Sequence, residues 1–187
     1  AKTDMSKGAR GITAFIVDMK SEGVSCGKPE KKMGVVGCAT SDIILENVQE
    51  EHLKPVLAKL AECNIKTERT AEGIRVWRRG RLCGVQVKTM PFPGFPTDMQ
   101  APFMSLLAVA KGTSVMTETI FENRFSHVGE LQRMGANIKI DSRSAVIEGV
   151  ETLTGAKVRA TDLRAGAALI LSALAAKGET EISDIYH

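Results

Sequence analysis

The chain has 187 residues, 43% of them hydrophobic and 25% charged, with 25 Lys and Arg against 22 Asp and Glu. That balance is ordinary for a globular protein and excludes disordered and fibrous classes. A net charge of +3 with one Trp, one Tyr and six Phe supplies neither the basic surface nor the stacking platform that nucleic-acid binding needs.

The N-terminal stretch "AKTDMSKGARG" has no apolar core of the kind a signal peptide carries. The longest uncharged apolar run, residues 165–176, is shorter than the roughly 20 residues a membrane-spanning helix requires. Cys26, Cys38, Cys63 and Cys83 form no C-x-x-C pair and have no histidine at metal-ligand spacing. These features predict a cytoplasmic chain with free thiols, no membrane association and no metal or other cofactor.

In chain order, a β-rich segment (1–42) comes first. An amphipathic helix follows over about 51–63, with Leu53, Val56, Leu57 and Leu60 on one face. The stretch "IKTERTAEGIRVWRR" reads as a hairpin, and Arg75, Arg78, Arg79 and Arg81 around Trp77 read as its solvated face. "GVQVKT" gives a short strand. From "FPTDMQAPF" (95–103) onwards there is no charge after Asp98 until Lys111, which predicts an apolar helix stopped by Gly112. "SVMTETIF" closes the unit as a strand.

The same order then repeats: a helix over about 127–135, the hairpin "IKIDSRSAVIEG", the strand "AKVRAT", an apolar helix stopped by Gly178, and the strand "ETEISDIY". Lys111-Gly112 lies over Lys177-Gly178, and Thr97-Asp98 over Thr161-Asp162. Two copies of one supersecondary unit, about 43–121 and 122–187, give an α/β class. A helix apolar on all sides must be buried on all sides, so the helices are expected inside and the sheets outside.

"FPTDMQAPF", "TETIFENRFSHVGELQRMGA", "GAKVRATDLRAGAALILSALAAKGET" and "DIYH" resemble, in order, the C-terminal half of the UDP-N-acetylglucosamine 1-carboxyvinyltransferase family, enolpyruvyl transferases of peptidoglycan precursor synthesis. The resemblance covers about 43–187. It implies an α/β prism of repeated βαβαββ units with buried helices and outer sheets. "SKGARGITAFIVDMKSEGVSCGKPEKKMGVVGCATSDIILENV" is similar instead to the central β-domain of an acyl-CoA dehydrogenase, without the helical domain that carries that family's catalytic carboxylate. The two resemblances together describe a chimera, with residues 1–42 as the dehydrogenase-like part.

Enolpyruvyl transfer adds a sugar hydroxyl to C2 of phosphoenolpyruvate, protonates C3 and expels phosphate, so it needs a base, an acid and a cluster of cations. The resemblance places Asp98 at the sugar hydroxyl, Ile120 and Phe121 against the nucleotide sugar, Arg124 near the anionic substrate, and Asp162 with Arg164 as a second charged pair along the cleft. The residues alone also allow a plainer account of Asp98. Thr97 to Gln100 fits a capping box, with Thr97 as N-cap and Gln100 at N3. Arg124 is equally suited to an ordinary surface ion pair. His127 and His52 open equivalent helices and read as structural.

Cys38 in "GCAT" begins like the family's reactive loop but lacks the Arg-Pro-Val-Asp that should follow, so it is not expected to be catalytic. The resemblance also implies a lysine, a loop cysteine and further arginines that are not identifiable here. The expectation is therefore a partial, catalytically incomplete transferase, with weak or lost binding of UDP-N-acetylglucosamine and phosphoenolpyruvate. The alternatives are a ligand-free α/β scaffold or an enzyme completed by a second chain. An unclosed sheet edge predicts self-association.

Overall fold

The computed structural model describes residues 43–46 (backbone), 50–71 and 73–185. The dehydrogenase-like segment 1–42, with Cys26 and Cys38, lies outside the described residues, as do Tyr186 and His187. Two compact units divide the chain, one of residues 1–48 with 69–75 and one of residues 49–68 with 76–187. The described part of the first is β1 (Ile43–Glu46) and the tip of a hairpin, and β1 neighbours β3 (Gly73–Arg78) in the strand order.

The second unit carries the repeat. Its first copy runs α1 (Glu50–Glu62), the rest of the hairpin of β2 (Ile65–Arg69) and β3, then β4 (Gln86–Lys88), α2 (Gln100–Leu107) and β5 (Thr113–Thr117). The second copy repeats that order in α3 (Val128–Arg133), the hairpin β6 (Asn137–Asp141) and β7 (Ser144–Glu148), β8 (Lys157–Arg159), α4 (Leu163–Ala175) and β9 (Glu181–Ser183). In both copies the strand before the apolar helix pairs in parallel with the strand after it: β4 with β5, and β8 with β9. The β6–β7 hairpin then adds antiparallel to β5, giving a four-stranded sheet in the order β4-β5-β7-β6.

Sheet and helix sides follow from the residues. Along β5 and β7, Ser114 and Met116 lie across from Ile147 and Ala145, and all four are buried, while their neighbours in sequence are less so. The buried face is the one turned to the apolar helices. Helix α2 packs on α4, and the Ser105 hydroxyl crosses between them to donate to the Ala168 carbonyl at 2.8 Å. Gly112 and Gly178 both take φ of +93°, the left-handed region in which a Cβ is strained, and there the chain leaves each helix for its closing strand.

Two expectations need correction. Helix α4 is not buried all round, since Ile170, Leu171 and Leu174 are exposed; its apolar surface is wider than the contact with α2 covers. The capping box at Thr97–Gln100 does not form. Thr97–Met99 is a single 3-10 turn, α2 begins only at Gln100 and no side chain caps it. Gln100 is buried and donates to the Met104 sulfur at 3.4 Å, so it has no reach back to Thr97.

Candidate functional site

Three segments converge at the N-terminal ends of the apolar helices. Strand β4 ends at Lys88, and the chain turns back so that the Met90 N–H donates to the Phe95 carbonyl. The edge-to-face contact of Phe95 with Phe103 fixes that turn to the first coil of α2. Thr97 and Asp98 are thereby set beside the end of β5, where residues 118–124 leave the sheet.

Asp98 lies at the centre. Its Oδ1 accepts from Arg164 Nε at 2.6 Å and from Arg124 Nη2 at 3.3 Å, so residues from both copies of the repeat meet on one oxygen. No hydrogen bond engages Oδ2 among the described residues, and the side chain is 43% exposed. A carboxylate oxygen is therefore open to a hydroxyl from solvent or from a ligand, with two guanidinium groups beside it.

Arg124 is held on three sides: Nη1 donates to Thr97 Oγ1 at 3.0 Å, Nη2 reaches Asp98, and the guanidinium lies 4.4 Å from the centre of the Phe121 ring. Phe121 is half exposed and Ile120 is also open to solvent. Both are thus available to a ligand, while Arg124 is largely covered by its partners.

Asp162 and Arg164 do not pair through their side chains. Asp162 is the N-cap of α4, its Oδ1 accepting from the backbone N–H groups of Arg164 and Ala165 at 2.9 and 3.1 Å and its Oδ2 from the Ser126 hydroxyl at 3.2 Å. Burial opposes its charge, but those bonds outweigh it and hold the carboxyl below the ordinary range. The capping role that sequence reasoning weighed for Asp98 falls to its counterpart in the repeat, and Arg164 is freed to reach Asp98.

Sequence reasoning passed over Glu118. Only 1% exposed, it accepts from Thr89 Oγ1 and the Ile120 N–H through Oε1, both within 2.8 Å, from the Phe121 N–H at 3.2 Å, and from Thr97 Oγ1 through Oε2 at 2.8 Å. Desolvation pushes its pKa up, and these four donors more than reverse that, leaving the carboxyl below its usual value. The repeat held a signal for it: Asp184 stands at the same point of the second copy, paired with Arg159. His127, next to Ser126, is buried with Nε2 unpartnered, and burial lowers its pKa to about 4 despite the Asp162 charge nearby.

A cavity of about 380 Å³ lined by Arg78, Arg81, Val109, Glu151 and Ala175 lies at the C-terminal ends of α2 and α4, opposite the end that carries Asp98. Among the described residues no group of three or more His, Cys, Asp or Glu is placed to hold a metal, and no helix is long and apolar enough to cross a membrane.

Paired strand-helix-strand repeats with their apolar helices packed on one another describe an enolpyruvyl transferase fold. The family model for EPSP synthase (3-phosphoshikimate 1-carboxyvinyltransferase) matches residues 34–187, and the chain belongs to that family. It is 59% identical over 146 residues to UDP-N-acetylglucosamine 1-carboxyvinyltransferase 1 of Caldanaerobacter subterraneus subsp. tengcongensis, covering 78% of this chain and 35% of that protein. Against the enzyme of the same name from Clostridium acetobutylicum it is 61% identical over 147 residues, 79% of this chain and 35% of the other. Among solved structures, the enolpyruvyl transferase NikO from Streptomyces tendae superposes with a TM-score of 0.65 at 31% identity, covering 72% of this chain and 32% of NikO. The chain spans about a third of the length of these relatives.

Proposed function

We propose that this chain forms the sugar-hydroxyl side of an enolpyruvyl transferase site that takes UDP-N-acetylglucosamine and phosphoenolpyruvate. The carrying observation is the Asp98 cluster: one carboxylate oxygen is held by Arg124 and Arg164, the other has no hydrogen bond among the described residues, and Arg124 stacks on the exposed Phe121, next in sequence to the exposed Ile120. The relatives' names supply the substrate class, and the chemistry of the cluster suits it.

In this reading Asp98 Oδ2 accepts the hydrogen bond of the attacking sugar hydroxyl and orients it toward C2 of phosphoenolpyruvate. Arg124 and Arg164 exchange part of their contact with Asp98 for the phosphate or carboxylate of the second substrate. That exchange trades one anion for another at fixed cations, so the charge developing on the substrate meets donors already in place. Asp162 fixes the start of α4 and with it the position of Arg164. Ile120 and Phe121 offer apolar surface to the nucleotide sugar.

Among the described residues no group is identified for protonation of C3 or for a full cation cluster around phosphate. Loss of even one preorganised donor costs on the order of 10²–10³ in rate. By itself the chain is therefore proposed to bind the nucleotide sugar without completing transfer. Phosphate release from phosphoenolpyruvate in the presence of UDP-N-acetylglucosamine tests this: background release with saturable nucleotide-sugar binding fits the proposal, and turnover above background contradicts the incomplete-site part of it.

A further inference from the structure

We infer that Glu118 is a positioning residue for this site. Its buried carboxylate fixes the turn that presents Ile120 and Phe121, and ties that turn to the Thr97–Asp98 segment. The inference rests on the functional reading above for its consequence, but the turn itself can be tested without any ligand.

The geometry carries the assignment. Glu118 stands one residue beyond the end of β5 and bends its carboxylate forward onto the N–H groups of the second and third residues after it, at 2.7 and 3.2 Å. Those two amides belong to the exposed Ile120 and Phe121, whose backbone direction is thereby set by an acceptor that solvent does not reach. The other oxygen takes the Thr97 hydroxyl, and that same hydroxyl oxygen accepts from Arg124, the guanidinium stacked on Phe121 and bonded to Asp98. Thr89 adds a third anchor: its hydroxyl donates to Glu118 and accepts from the Thr119 N–H at 2.9 Å.

A carboxylate is the side chain that can accept from all four donors at once, because it has no proton of its own to place. Glutamine offers one carbonyl oxygen and turns an NH₂ toward Thr97, so Glu118→Gln keeps the volume and disrupts the pattern. Glu118 itself touches no solvent-open surface, so its effect on a ligand passes through Ile120, Phe121, Thr97 and Asp98.

The test follows the backbone amides of this chain by two-dimensional NMR in wild type and Glu118→Gln, with and without UDP-N-acetylglucosamine. The expected result is an unchanged pattern for α3, β6 and β7, an upfield move and faster solvent exchange of the Ile120 and Phe121 amides, and nucleotide-sugar affinity weaker on the order of tenfold, the equivalent of one charge-assisted hydrogen bond. A folded Glu118→Gln chain whose Ile120 and Phe121 amides keep their wild-type shifts and exchange overturns the inference. So does one in which those amides move while affinity stays the same. If the wild-type chain shows no saturable binding, the functional reading fails, and the amide comparison alone decides whether Glu118 sets the turn. Should Glu118→Gln not fold, Thr89→Val removes one donor to Oε1 together with the acceptor of the Thr119 N–H, so Thr119 is set aside and only the two amides bonded to Glu118 are followed. Altered Ile120 and Phe121 amides in that variant support the inference, and unaltered ones overturn it.

Discussion

Asp98 and Arg164 are 66 positions apart, and a 2.6 Å hydrogen bond joins them. Each belongs to the start of the apolar helix in its own copy of the repeat, so the bond links the two copies at the end where α2 and α4 open toward solvent. Because Asp98 is 43% exposed, water screens the pair, and the bond is worth little to the fold. Asp98→Ala is expected to change stability by no more than about 1 kcal/mol, measured by urea denaturation. A much larger loss would place Asp98 among the structural residues instead.

Acid should unfold the protein by way of His127. Its unfolded value is 6.5 and its folded value about 4, so above 6.5 both states are neutral and its contribution is fully present. As the pH falls toward 4 the unfolded state takes up the proton first, and roughly 3 kcal/mol is lost over that window. Asp162 and Glu118 have lowered values, so what they contribute persists to lower pH and is lost as the pH falls through their folded values. Stability curves between pH 7 and 4 for wild type and His127→Gln separate the two: the variant should lose most of the slope above pH 4.

Glycine positions give opposite signs. A Cβ at Gly149 would stand 1.4 Å from the Ala110 carbonyl oxygen, a backbone atom that cannot move aside, and Gly149→Ala is expected to cost about 3 kcal/mol or more. Gly129 lies in α3, exposed, with nothing within 4 Å of the added atom. Gly129→Ala should stabilise by about 0.5–1 kcal/mol, through helix propensity alone. Thermal melts of the two variants check both signs.

Much of this was legible in the sequence because it rests on periodicity. The matching order of helix, hairpin, strand, apolar helix and strand follows from apolar spacing and from the glycines at 112 and 178, and the structure reproduces it element by element. The way the candidate residues are wired together was not legible. Asp98 and Asp162 each follow a threonine in sequence, yet one binds arginines and the other caps a helix. The difference arises from how far the 3-10 turn at Thr97–Met99 delays the start of α2, which no local pattern announced. Glu118 escaped notice because its burial is imposed by four donors from three separate segments.

The two described cysteines should differ in reactivity. Cys63 is buried, and burial with the neighbouring Glu62 charge pushes its thiol up to about 11, so almost no thiolate is present at neutral pH. Cys83 is exposed. Peptide mapping after brief iodoacetamide treatment should find Cys83 alkylated and Cys63 intact until denaturant is added. Equal labelling of both would contradict the packing around Cys63.

The central claim is that the Asp98 cluster is the sugar-hydroxyl side of a nucleotide-sugar site, and calorimetric titration of UDP-N-acetylglucosamine into the wild-type chain and the Asp98→Ala variant tests it most directly. Saturable heat in the wild type that is lost in an equally stable variant is the predicted result. No heat from folded wild type, or the same heat from both, would contradict it and leave Asp98 as a carboxylate that serves only its two arginines.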